Sequence, residues 1–123
     1  MCVACDTRLN AEQMEAFGAR FLQALNDGAL IMMMSLGHRS GLFDALRGAG
    51  PLASDALADR AGLNERYVRE WLGAMVCGGI VTCDPEGRHF ELPAAHAALL
   101  TDDGGGENLA HLTQYVSIKG GNK

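Results

Sequence analysis

The chain has 123 residues, enough for one domain with a real core and short for an enzyme built on a large sheet. Apolar residues make up 48%, and ten basic residues against fifteen acidic ones leave a net charge of −5, with Lys119 and Lys123 the only lysines. That balance argues against a domain that grips a phosphate backbone, and no apolar run is long enough to span a bilayer.

Residues 1–9 read as a loose lead-in. They lack the apolar core of a secretory signal, so the expected location is the cytoplasm, with the four cysteines reduced. Cys2 and Cys5 form a CxxC pair, weak as a metal candidate, because a structural zinc site takes about four ligands and Cys77 and Cys83 do not make a second pair.

Asn10 can cap a helix running to about Asp27, with Met14, Phe17, Phe21, Leu22 and Leu25 in one stripe and Glu12, Glu15, Arg20 and Gln23 outside it. Gly28 is expected to break or bend the path. The next run, Ala29 to Leu36, is apolar on every side, and a helix of that kind is expected to be buried on every side. One small domain cannot surround it, so another copy or another domain is expected against it. Met14, Phe17, Phe21, Leu25, Leu30, Ile31, Met32 and Met33 are therefore the candidates for lining a dimer contact or a pocket for a hydrophobic small molecule. Consecutive methionines on a helix point roughly 100° apart, so Met32, Met33 and Met34 suit flexible apolar packing better than soft-metal ligation. His38 and Arg39 suit a helix C-terminus, and Gly41 turns the chain into a short helix from Leu42 to Arg47.

After the turn Gly48-Ala49-Gly50-Pro51, Ser54 is expected to cap a helix that carries Leu57 and Ala58 inward and ends at Ala61, with Gly62 as its left-handed terminator. Asn64 caps a second helix whose stripe is Val68, Trp71, Leu72, Met75 and Val76, stopped by Gly78-Gly79. Strands Ile80 to Cys83 and His89 to Leu92 flank the turn Asp84-Pro85-Glu86-Gly87. Helix, turn, helix and hairpin make a winged helix-turn-helix in a mostly α fold, with a small hairpin wing and N-terminal dimerisation helices. Pro93 to Leu100 reads as a short helix with proline in its first turn. Asp102 to Glu107 reads as a polar glycine linker, and Asn108 caps a last apolar piece, Leu109 to Ile118. The winged-helix domain is thus placed at 10–101, and 102–123 as a linker and the truncated start of a connecting helix.

Little here suggests catalysis. His38, His89, His96 and His111 fall in four different elements with no paired-ligand spacing, and no serine sits in a nucleophile elbow. A DNA-reading face would use Arg66, Arg69 and the wing's Arg88, but Glu65 and Glu70 cancel the first two and Asp84, Glu86 and Glu91 flank the third. Nucleic acid is therefore not expected as a partner.

Several phrases occur in order: Gly28-Ala29-Leu30, the run Ser35 to Leu46, Leu57 to Leu63, Arg66 to Leu72, and Gly78-Gly79-Ile80-Val81. In them the chain, from about Phe17 to Ile118, resembles the amino-terminal domain of certain bacterial S-adenosylmethionine-dependent methyltransferases. The resemblance implies a winged-helix domain that precedes a Rossmann-like catalytic domain, dimerises and helps cover the substrate without binding DNA. It implies no catalytic or cofactor residue in this chain, because the family's cofactor site lies in the second domain. Gly104-Gly105-Gly106 follows a short helix, not a strand, and lacks the context of a cofactor loop. The expected function is a non-catalytic, homodimerising interaction module without cofactor. The alternatives are the first piece of a longer active methyltransferase, with S-adenosylmethionine bound downstream, or a DNA-binding or ligand-responsive transcriptional regulator.

Overall fold

A computed structural model describes residues 9–103 and 105–114. Cys2, Cys5 and the stretch 115–118 of the expected last helix lie outside the described residues.

The first helix, α1, spans Ala11–Ser40 and is continuous for 30 residues. The Asn10 side chain accepts from the Gln13 N–H at 3.0 Å, the expected cap. Gly28 does not break the helix. A glycine in a helix interior costs only about 1 kcal/mol against alanine, and the leucines, alanines and methionines on both sides are strong helix formers. The helix ends at Gly41, whose φ of 81° turns the chain while its N–H bonds back to the carbonyls of Gly37 and His38.

α2 covers Leu42–Leu46, one residue shorter than expected. α3 covers Ser54–Ala61 and α4 covers Glu65–Cys77. Ser54 is not the cap of α3: Ala53 holds that position, and the Ser54 hydroxyl instead donates to Oε2 of Glu65 at 2.6 Å, tying the start of α3 to the start of α4. Gly62, at φ 70°, and Asn64, whose Oδ1 accepts from the N–H groups of Arg66 and Tyr67, shape the turn between them as the sequence suggests.

The wing is smaller than expected. β1 is Thr82–Cys83 and β2 is Phe90–Glu91, antiparallel, with Thr82 opposite Glu91 and Cys83 opposite Phe90. Leu52 bridges the other edge of β2, exchanging two hydrogen bonds of 3.0 and 2.8 Å with Phe90. α5 covers Ala94–Leu100, with Pro93 at its cap, and Leu109–Leu112 forms a 3₁₀ turn capped by Asn108.

The core gathers Leu42, Phe43 and Leu46 of α2, Leu57 of α3, and Val68, Trp71, Leu72 and Met75 of α4. Val76, expected on the same stripe, is half-buried. Trp71 joins the layers: its ring meets Phe43 edge-on at 5.3 Å, and its Nε1 donates to the Met33 carbonyl of α1 at 2.9 Å. Among the described residues no helix is long and apolar enough to cross a membrane.

Candidate functional site

Every residue of α1 from 11 to 29 is exposed, so the first half of the helix leaves the body. Within one chain this surface is left uncovered: Phe17 is 69% exposed, Phe21 58%, Leu25 60% and, in the run expected to be apolar on every side, Met32 52%. At roughly 100° per residue, Met14, Phe17, Phe21, Leu25 and Met32 share one face of α1. Leu30, Met34 and Gly37, which pack on the body, lie on the opposite side. The apolar face of the helix therefore changes sides near Gly28. Its outward stripe carries a ring contact between Phe17 and Phe21, centroids 6.4 Å apart, and among the described residues no element covers it.

The eight candidates accordingly divide. Met14, Phe17, Phe21, Leu25 and Met32 form the outward stripe, whereas Leu30 and Met33 are half-buried along a cleft with Asp27 and Cys77. Ile31 alone among them reaches an apolar cavity of about 470 Å³ on the body side, between α1, α5 and the 3₁₀ turn. Its other walls include Met34, His96, Leu99, Leu109 and Leu112, none of which the sequence marked as a site. The only sequence signal was the pair of short leucine-bearing segments on either side of the glycine linker.

On the candidate reading helix, α4, Arg66 pairs with Glu70 at 3.7 Å and Arg69 with Glu65 at 3.5 Å. The structure brings Arg69 and Arg88 into one shallow cleft, but with Asp55 and Glu65 beside them, and it leaves Arg66 outside it. At the wing, the Arg88 N–H and then the His89 ring, whose Nδ1 is 2.9 Å from Oδ2, hold the Asp84 carboxyl down at about 2. Burial, then the Asp84 charge, pushes the Cys83 thiol up.

Two of the four histidines, scattered in sequence, meet: the rings of His38 and His111 pack edge-on at 4.8 Å. His111 Nε2 lies 3.3 Å from Asp102, whose carboxyl is held below the ordinary aspartate range by the Asn108 amide and then His111. Among the described residues no group of three or more His, Cys, Asp or Glu is arranged to hold a metal ion.

Comparison with solved structures finds this fold in methyltransferases. Mitomycin 7-O-methyltransferase MmcR superposes with a TM-score of 0.65 at 22% identity, over 76% of this chain and 27% of its own. PigF, solved with SAH, gives 0.61 at 23%, over 89% of this chain and 29% of its own. Human N-acetylserotonin methyltransferase, in complex with SAM, gives 0.57 at 16%, over 80% and 28%. The chain thus spans less than a third of each of these proteins, and at such identities the likeness is one of fold. No curated protein sequence matches it. A family model of the Rv2258c-like winged HTH domain matches residues 28–102, from the middle of α1 through the wing and α5, and on that match the chain belongs to this family of winged helix-turn-helix domains.

Proposed function

We propose that these residues act as a non-catalytic interaction module that pairs with a second copy through the outward stripe of α1. The observation that carries this is the change of sides along α1: Phe17, Phe21 and Leu25 are turned away from the one core that could bury them. A large apolar stripe left in water is unusual for a soluble monomer, and a two-fold contact covers it with an identical stripe. About 800 Å² per partner is typical of such interfaces. The ion-paired arginines of α4 favour this reading over DNA binding, and the expected setting is the cytoplasm.

The fold shared with methyltransferases supports a second reading, in which the module serves as the amino-terminal part of an S-adenosylmethionine-dependent methyltransferase. The cofactor would then be held by residues other than these 123. In both readings the module contributes assembly and not chemistry.

Light scattering on the purified chain at micromolar concentration tests the pairing. A dimer is expected, and Phe21→Asp should give a monomer with unchanged helical circular dichroism, because Phe21 contributes nothing to the core. A well-folded wild-type monomer would refute it.

A further inference from the structure

The cavity on the body side of α1 faces away from the outward stripe, so its role is independent of pairing. We infer that it binds a small, uncharged, ring-containing molecule that carries one hydroxyl, and that this hydroxyl donates its hydrogen bond to Nε2 of His96.

Size and wall chemistry set the class. About 470 Å³ lies within the roughly 300–1,000 Å³ of small-molecule sites. Ile31 and Met34 form one wall, Leu99 another, and Leu109 and Leu112 the rim. Among the described residues no Lys, Arg, Asp or Glu lines it, so a charged ligand would lose its hydration with no countercharge from them in return. Ring-shaped ligands bury the most apolar area for the fewest frozen torsions, and Met34 can adjust to their outline.

The polar groups set the hydroxyl. Among the described residues, only His96 and Thr113 bring polar side chains to the lining. The Thr113 hydroxyl is already used: it donates to the Ala110 carbonyl at 2.6 Å and accepts from the Gln114 amide at 3.3 Å. His96 Nδ1 lies 2.8 Å from the Ile80 carbonyl. A carbonyl can only accept, so the proton of the neutral ring is on Nδ1, and Nε2 is left with a lone pair. Among the described residues nothing donates to that lone pair. A ligand that supplies a donor completes the site, and one that does not leaves a half-buried acceptor dry.

The test uses the purified 123-residue chain at pH 8, with 2-naphthol and naphthalene as probes, followed by calorimetry and by the imidazole ¹⁵N shifts. Saturable 1:1 binding of 2-naphthol is expected, about tenfold tighter than naphthalene, with a shift at His96 Nε2 only for the naphthol. His96→Phe should bring the two probes to equal affinity, and Leu99→Trp, which fills the mouth from an exposed position, should weaken both while the fold persists. Equal affinity of both probes for the wild type, an unmoved Nε2 resonance, or tighter binding of 2-naphthoate than of 2-naphthol would overturn the inference. So would a cavity closed to both probes and opened by Leu112→Asp together with loss of self-association, because the occupant would then be a second copy.

Discussion

Trp71 of α4 lies over the α-carbon of Gly37 in α1, so close that a Cβ at residue 37 would collide with Cζ2 of the indole and stand 3.0 Å from Cε2 of Phe43. One turn earlier the same indole donates to the Met33 carbonyl. These two contacts lock the C-terminal half of α1 onto the body and leave the N-terminal half to project.

Gly37→Ala should therefore destabilise the fold by about 1–3 kcal/mol, the usual cost of overpacking, even though alanine is the better helix former. Gly73→Ala, in α4 with open space where its Cβ would go, should do the reverse and stabilise by about 0.5–1 kcal/mol. Urea midpoints of the two variants check the opposed signs. A stabilised Gly37→Ala would mean that the Trp71 contact is looser than described.

Asn64 is the hinge of the helix-turn-helix, and its Oδ1 accepts from two N–H groups, at 2.9 Å from Arg66 and 3.4 Å from Tyr67. Asn64→Ala should cost about 1 kcal/mol, and Asn64→Ser or Asn64→Asp should recover most of it, as measured by thermal unfolding.

Asp84 holds the wing. Its folded pKa of about 2 lies below the ordinary 3.8, so its contribution to stability is fully present above pH 3.8 and is lost as pH falls toward 2. Exchange protection at Arg88 and His89, taken relative to the free amide at each pH and resting on N–H bonds to Oδ1 of 2.8 and 3.2 Å, should be full at pH 4 and fall away as pH approaches 2. In Asp84→Asn that pH dependence should disappear.

DNA affinity should be weak and indifferent to sequence, no tighter than about 10⁻⁶ M at physiological salt. Glu70→Gln, which releases Arg66 from its 3.7 Å pair, should raise affinity for a random duplex a few-fold in fluorescence anisotropy. Nanomolar binding of the wild type to one defined sequence, lost on Arg69→Ala, would restore the regulator reading.

The helix-turn-helix was legible because its signals are local. Asn64 caps with its own side chain, Gly62 takes the left-handed turn few other residues tolerate, and the stripe from Val68 to Met75 follows the helical period. Ser54 misled because a serine at a helix start has two uses, and the proximity of Glu65, eleven residues on, selected the second. Gly28 misled because a single glycine weakens a helix less than its strong neighbours hold it.

The sequence by itself determined that α1 carries more apolar surface than a small domain can cover, since that is a count of side chains and their period. It also determined that the face of α4 carries as many carboxylates as guanidiniums. Tertiary structure decided which face of α1 is left uncovered: the Gly37–Trp71 contact sets the rotation of the helix on the body and turns Phe17, Phe21 and Leu25 outward. It also decided that His96, Leu99 and Leu112 enclose one cavity with Ile31 and Met34, and that His38 meets His111. Such meetings join residues separated by dozens of positions, and no local propensity encodes them. They exist only once the core has closed and fixed the distances between elements.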